Sequence, residues 1–371
     1  MNYLAKKTLL VTGAAGFIGS NFCTLISETR PDCRLVMLDA LTYAGNIANI
    51  QHLIDGDKAI FVQADIRDQE RMDAIFREFD VEAVAHLAAE SHVDRSILGP
   101  RAFVESNVNG TLNLLTAARQ HWPEKMADEE PGRNRFLHVS TDEVFGTLTP
   151  TDPPFNEETP YAPTSPYSAS KAASDHLVRA WHHTYGFPSL VTHCSNNYGP
   201  WQFPEKLIPL MILNASEGKT LPVYGDGMQI RDWLHVADHC KALLLVLEQG
   251  RDGESYCVGG GNDQSNIHIV EMLCDHVDKR LGNAQGHSRE LIRHVVDRPG
   301  HDRRYSINFG KLNRELGWAP KFEFESALGD VVDWYLDHGV WIDGIRSGAY
   351  LKYYDQQYGA RLSGAKLGTT S

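Results

Sequence analysis

Six short apolar runs are spaced along the first half of the chain, most of them followed by a stretch long enough for a helix. They are Thr8-Leu-Leu-Val-Thr12, Leu35-Val-Met-Leu38, Ala59-Ile-Phe-Val62, Val84-Ala-His-Leu87, Phe136-Leu-His-Val139 and Leu190-Val-Thr192. Continuous apolar runs of this length read as strands covered on both faces, and such strands belong to parallel sheets wrapped by helices. Helices are expected between them, at Gly19–Glu28, Asp68–Phe79 and Val104–Gln120. Alternation of this kind predicts an α/β fold built on a doubly wound parallel sheet.

The first strand runs into Gly13-Ala-Ala-Gly16-Phe17-Ile18-Gly19, with a helix expected directly after it. That context gives the glycine pattern meaning: Gly13 makes the tight turn, Gly16 lets a pyrophosphate approach the backbone, and Gly19 permits close helix packing. Asp39 ends the second strand, 20 residues after Gly19, where a carboxylate bonds the ribose hydroxyls of a dinucleotide. A carboxylate there repels a 2′-phosphate, so NAD is expected over NADP, within a Rossmann-type domain. Ala40, Leu41 and Thr42 follow Asp39 in this cofactor site, with Asp65 and Ile66 after the third strand. Leu87, Ala88, Ala89 and Ser106 complete it. Asp65 suits the adenine edge, with a helix cap ahead of Asp68 as its plainer role.

The chain is 371 residues long with a net charge of −13, which argues against a nucleic-acid partner. The six cysteines are widely spaced without a Cys-x-x-Cys pair, so small buried thiols are expected and no metal site. No apolar run approaches a membrane span, and the N-terminus lacks the apolar core of a signal peptide, so a cytoplasmic protein is expected. After Asn197, proline and glycine become frequent and the alternation weakens. We read residues 1–196 as the cofactor domain, 197–346 as a second, smaller α/β substrate domain, and 347–371 as an extension with a mobile end. Residues 232–262, including a helix at Val236–Glu248, are expected to return to the first domain. Pro123–Asn134 reads as a surface loop.

Two further groups carry chemistry. Tyr167-Ser-Ala-Ser-Lys171 places a phenol and an ammonium four residues apart on one helical face, suited to taking a proton from an alcohol. Lys171 would lower the tyrosine pKa and hold the nicotinamide ribose. Thr141-Asp142-Glu143 closes the fifth strand with two adjacent carboxylates that shift each other's pKa, so that one is held protonated as an acid while the other acts as a base. Together the two groups suggest oxidation coupled to elimination.

The glycine spacing and the Tyr-x-x-x-Lys pair resemble the extended short-chain dehydrogenase/reductases. Longer strings resemble one subgroup, the nucleotide-sugar 4,6-dehydratases: Leu41-Thr-Tyr-Ala-Gly-Asn46, His86 to Ser96, Ser140-Thr-Asp-Glu-Val144, Cys194 to Pro200, Phe203 to Pro209, Arg231-Asp-Trp-Leu234 and Asp297 to Tyr305. The likeness runs from residue 8 to about 320 and is sharpest to the branch acting on dTDP-glucose. It implies that Tyr167, with Lys171, deprotonates the C4 hydroxyl as hydride leaves for NAD. Glu143 would then remove the C5 proton, Asp142 protonate the departing C6 hydroxyl, and Thr141 hydrogen-bond the sugar near C4. It further implies that Asn197, Lys206, Arg231, Asn266 and Arg298 contact the diphosphate or nucleoside, with Ser91, Leu207, Pro222, Tyr224, His301 and Tyr305 around them. Arg303 and Arg304 add cationic charge to the same string. A homodimer through helices starting near residues 103 and 166 is implied as well. Phe145 stands where relatives carry tyrosine, and the Pro123–Asn134 loop and the tail look longer than theirs. The rivals are another nucleotide-sugar dehydratase, a 4-epimerase on the same fold, against which the carboxylate pair argues, a decarboxylase, which would need a recognition site for a C6 carboxylate, and a non-catalytic NAD sensor.

Overall fold

The computed structural model describes residues 3–122 and 134–346, so Pro123–Arg133 of the expected surface loop and the extension from residue 347 lie outside the described residues. Seven parallel strands form the central sheet: β1 (Thr8–Thr12), β2 (Arg34–Asp39), β3 (Ile60–Gln63), β4 (Ala83–His86), β5 (Arg135–Thr141), β6 (Ser189–Cys194) and, from far down the chain, β10 (Ser255–Val258). Their order is β10-β6-β5-β4-β1-β2-β3. The order reverses between β1 and β4, and in open α/β sheets the crevice beyond that switch point is where ligands bind.

All six apolar runs are strands of this sheet, with one correction to their burial. β3 is one edge of the sheet, and Ile60 at its start is 38% exposed because no strand among the described residues lies beyond it. The expected helix Val104–Gln120 also differs: Val104–Asn109 is a π-helical stretch, followed by an α-helix over Gly110–His121. Within the stretch, the Asn107 amide side chain bonds both the N–H and the carbonyl of Glu90 (2.8 and 3.0 Å) and the Ser170 hydroxyl (2.8 Å). A π-turn widens the helix locally and is frequent at functional sites.

Later strands make two small sheets. β7 (Asn196–Tyr198) and β11 (Asp263–Ser265) flank β9 (Ile230–His235), while β8 (Leu221–Tyr224) pairs in parallel with β12 (Ile292–Val295). A separate apolar cluster packs under them, combining Ile208, Ile212, Trp233, Leu273, Leu328, Val332 and Tyr335. The helix Val236–Gln249 instead buries Val236, Cys240, Leu243 and Leu247 in one cluster with Leu9 and Val11 of the first sheet and Phe22 of the helix Phe17–Thr29. At the other end of the second lobe, the Trp341 indole N–H donates to Asn49 Oδ1 (2.7 Å), tying the helix Gly339–Ile345 to the first lobe. Among the described residues no helix is long and apolar enough to cross a membrane.

Candidate active site

The first helix (Phe17–Thr29) starts at the glycine turn. Its cap residue, Gly16, offers no side-chain bond, and its first turn holds no acidic residue, so its N–H groups and positive dipole end face the cleft uncompensated. Gly13 has φ +70°, and a Cβ there would come within 3 Å of the backbone at Leu87–Ala88. A Cβ on Gly19 would collide with the Gly13 carbonyl, whereas one on Gly16 would meet only that oxygen at 3.3 Å. Gly16 is therefore the open floor of the turn, as a pyrophosphate requires. Asp39 is buried, its carboxylate accepting from the N–H groups of Ala15 (2.9 Å) and Leu41 (2.8 Å).

A cleft of about 350 Å³ opens over this turn. It is lined by Gly13, Gly16, Phe17, Ile18, Gly19, Asp39, Ala40, Thr42, Asp65, Ile66, Leu87, Ala88, Ala89 and Ser106. Leu41, held at φ +52°, does not contribute to the wall. The Asp65 carboxylate faces the cleft while gripping the Arg67 guanidinium (3.0 and 2.6 Å), and the helix cap next to it is Asp68, which accepts from the Arg71 N–H. The uncapped helix end, the open Gly16 floor and the Asp39 carboxylate fit a dinucleotide of the NAD type.

The same cleft continues to Thr141, Glu143, Tyr167, Lys171, Ser91, Asn197 and Lys206. β5 carries Thr141 to its carboxyl end, and the chain then tightens into a 3₁₀ turn whose first N–H groups are capped by the Thr141 hydroxyl (Glu143 N, 3.3 Å). The helix Pro166–Tyr185 starts with a reciprocal Ser165/Ser168 capping box and Pro166 in its first turn, and it presents Tyr167 and Lys171 toward that turn. The Lys171 ammonium donates to the Val139 carbonyl (2.9 Å), and burial lowers its pKa. Tyr167 departs from expectation. Its pKa is raised well above that of a free phenol, first by burial and then by the charge of Glu143, with a hydrogen bond from Thr141 opposing.

Asp142 is 2% exposed and sits just behind the cleft wall. Burial raises its pKa far above the carboxylate range, and neighbouring Glu143 and Asp232 add to the effect. Its Oδ1 lies 3.4 Å from the Thr141 hydroxyl, while its buried Oδ2 has no partner among the described residues. Burial of this kind favours the neutral carboxyl, the form that has a proton to give. Burial raises Glu143 too, but Arg298, Lys206 and Arg231 face it and pull the other way, favouring the ionised form. The surroundings thus push the two carboxyls apart, Asp142 toward its protonated form and Glu143, by its cations, toward its ionised form.

The second lobe supplies those cations. Arg231 is buried, donating to the carbonyls of Ile230 and Asp302 and lying 4.2 Å over the Tyr305 ring. Tyr305 in turn donates to Asp302. Arg298 pairs with Asp94 (3.2 Å), to which the Tyr224 hydroxyl also donates (3.1 Å), and His301 Nδ1 lies 2.6 Å from Asp297. Lys206 reaches across to the Ser91 carbonyl (3.0 Å), and Asn197 Oδ1 meets His239. Leu207 begins the helix Leu207–Ser216, Pro222 lies on β8, and Asn266 begins the helix Asn266–Leu281, its N–H bonded to the Gln229 carbonyl. None of Leu207, Pro222, Tyr224, Arg231, Asn266, Arg298, His301 and Tyr305 lines the cofactor cleft. Arg303 and Arg304 are engaged elsewhere, with Asp226 and with Asp263 and the Asp152 carbonyl. His235 caps the helix after it and stacks on Phe322 at 3.9 Å, away from the cleft. Phe145 is buried against Phe155, Tyr161 and His193.

The functional neighbour that sequence reasoning passed over is Asp94. It lies within the quoted string from His86 to Ser96, but the partners that give it meaning are 130 and 204 residues away.

The model of the GDP-mannose 4,6 dehydratase family matches residues 10–331. The chain belongs to that family. Its curated relatives include the dTDP-glucose 4,6-dehydratase of Xanthomonas campestris, 54% identical over 344 residues, 92% of this chain and 97% of that protein. The Salmonella typhimurium dTDP-glucose 4,6-dehydratase is 50% identical over 361 residues, 95% of this chain and 99% of the other. Among solved structures, the dTDP-glucose 4,6-dehydratase of Streptomyces venezuelae with NAD bound superposes with a TM-score of 0.82 at 44% identity, over 91% of this chain and 100% of that one. A Thermus thermophilus UDP-glucose 4-epimerase complex with NAD follows at 0.77 and 28%, over 89% and 99%. The Rossmann-type α/β fold of this dehydratase-family chain is shared by both kinds of neighbour, so the choice between their reactions falls to the residues beyond β5.

Proposed function

We propose that the protein is an NAD-dependent hydro-lyase, a dTDP-glucose 4,6-dehydratase, forming the 4-keto-6-deoxy sugar nucleotide. The observation that carries this reading is the divided carboxylate pair, with a buried Asp142 whose Oδ2 has no partner among the described residues beside a Glu143 surrounded by cations. An epimerase has no use for such a pair. NAD bound in the cleft would supply the acceptor for the C4 hydride and the donor that returns it to C6, so that no outside oxidant would be consumed. Tyr167 receives the C4 hydroxyl proton as the phenolate, a charge that the Lys171 ammonium and the Thr141 hydroxyl would support against the burial that opposes it. The C4 ketone acidifies the C5 proton, which passes to Glu143, while Asp142 protonates the C6 hydroxyl so that it leaves as water. Glu143 then returns a proton to C5. Gly13 to Gly19, Asp39, Asp65 and Ser106 hold the dinucleotide.

Arg231, Arg298, Lys206 and Asn197 take the nucleotide diphosphate, with Ser91, Tyr224, Asn266, His301 and Tyr305 about it; arginine suits that group because it bonds two oxygens at once. We further propose a cytoplasmic homodimer joined through the helices around residues 100–121 and 166–185, where Leu98, Val104 and Tyr185 leave apolar surface exposed. Mass spectrometry of dTDP-glucose deuterated at C4, incubated without added reductant, tests the reaction. Loss of water with deuterium recovered at C6 is expected. Deuterium returned to C4 of an epimer with no water lost would overturn the dehydratase reading.

A further inference from the structure

Two walls of the cofactor cleft come from different lobes. Thr42, Ala44 and Gly45 belong to the loop after β2, while Gln202, Phe203, Glu205 and Lys206 belong to the segment leading into the second lobe. These walls are joined through residues that neither the glycine turn nor the reaction uses. Arg95, from the short helix Val93–Leu98, places its Nε 3.1 Å from Glu205 Oε2 and lays its guanidinium 3.7 Å over the Tyr43 ring. The Tyr43 phenol hydrogen-bonds the same Glu205 carboxylate. The edge of Phe203 meets Tyr43 at 5.9 Å with the rings at 84°. Glu205 is only 6% exposed. Its carboxylate is thus shared by a cation and a phenol out of water, where each contact is stronger than on a wet surface.

We propose that Tyr43, Arg95 and Glu205 form a clasp that closes the two lobes over the adenosine side of the cleft and retains the dinucleotide between turnovers. This rests on the NAD reading above. The chemistry supplies the reason: a cofactor that gives back the hydride it receives has no need to leave, so a slow exit costs no turnover. Of the three residues Glu205 lines the cleft, and Tyr43 falls between Thr42 and Ala44, which line it too. Tyr43 lies four positions after Asp39, in the loop closing the ribose end, and Glu205 directly precedes Lys206, whose ammonium makes a second bridge to the Ser91 carbonyl. The clasp therefore acts on cofactor exchange.

The test is the rate at which bound NAD leaves the purified holoprotein when chased with an excess of isotopically labelled NAD. Arg95→Met keeps the bulk but removes the charge and the stack, and Tyr43→Ala removes the ring. Each is expected to release NAD about tenfold faster or more, with Arg95→Lys in between, because Lys keeps the charge without the planar stack. Thermal unfolding of each NAD-saturated variant gauges whether it is folded. If Arg95→Met does not fold, Tyr43→Phe, which removes only the phenol, carries the test. Release rates within roughly twofold of the parent in the folded variants overturn the clasp. A parent protein that neither carries nor takes up NAD overturns the cofactor reading and the clasp together.

Discussion

Asp142 and Glu143 are adjacent in sequence, yet one is enclosed behind the cleft wall and the other faces three cations. Their division of labour makes separable demands on mutants. Asp142→Asn cannot release a proton to the C6 oxygen, so kcat is expected to fall by about 10² to 10⁴, the range for losing a general acid. Exchange of the C5 proton with deuterated solvent should persist, because Glu143 remains. Glu143→Gln should instead abolish that exchange, which proton NMR of the recovered sugar nucleotide would reveal. The pH profile follows from the same geometry. Burial raises both carboxyls, so the active form, singly ionised, should disappear on the acid side above the ordinary carboxylate range. The upper limb belongs to loss of the second proton from the pair as a unit. A kcat/KM profile flat from pH 4 to pH 7, about the span over which ordinary carboxylates have finished ionising, would contradict this.

The helix Pro166–Tyr185 does more than present Tyr167 and Lys171. One turn past Lys171 it buries Asp175 completely, between β5 and β6. Ser140 and Tyr161 donate to its Oδ2 (2.8 and 3.1 Å), and the ring nitrogens of His138 and His193 lie 3.0 and 3.2 Å away. Burial alone would raise its pKa, but His138 and His193 hold it far below the carboxylate range. A folded-state pKa so depressed contributes stability that is fully present above the unfolded value near 4 and fades as pH falls below it. Asp175→Ala strands those partners and should cost about 3–5 kcal/mol, measured by urea unfolding at pH 7, with the difference narrowing toward acid pH. Here the sequence is silent: Asp175 reads as one more polar residue on a helix face, since its partners come from two strands and a loop. The strands themselves were legible because β1, β2, β4, β5 and β6 are buried on both faces and so are short runs dominated by apolar residues. The π-stretch at Val104–Asn109 was not, because it obeys the same apolar spacing as an α-helix and is specified by the reach of Asn107 to Glu90.

The two lobes are joined at a few polar points, and these decide how firmly the cofactor cleft is shaped. Asn49 is one: its Nδ2 donates to the Ala15 carbonyl in the glycine turn (2.9 Å), while its Oδ1 accepts from Trp341 of the second lobe. Asn49→Leu should weaken NAD binding and lower the melting temperature, and equilibrium dialysis with differential scanning fluorimetry would read both; unchanged NAD affinity would make Asn49 a purely structural tie. The cofactor site was legible from sequence because its glycines and Asp39 lie within one strand–helix–strand unit. The nucleotide site was only half legible, since Arg231, Arg298 and Arg303 look alike in a string of letters and only the fold shows Arg303 paired with Asp226 on the surface. The late strand β10 has a consequence for how the chain is made. β6 has no outer partner until Ser255–Val258 arrives, and the covering helix Val236–Gln249 comes only just before it. A ribosome that has released only the first 200 residues or so therefore leaves β6, buried along its whole length in the finished fold, as an outer edge of the sheet, the kind of surface that pairs with strangers. A fragment ending at Tyr198 should aggregate on expression, and one extended to Gly261 should be the more soluble of the two.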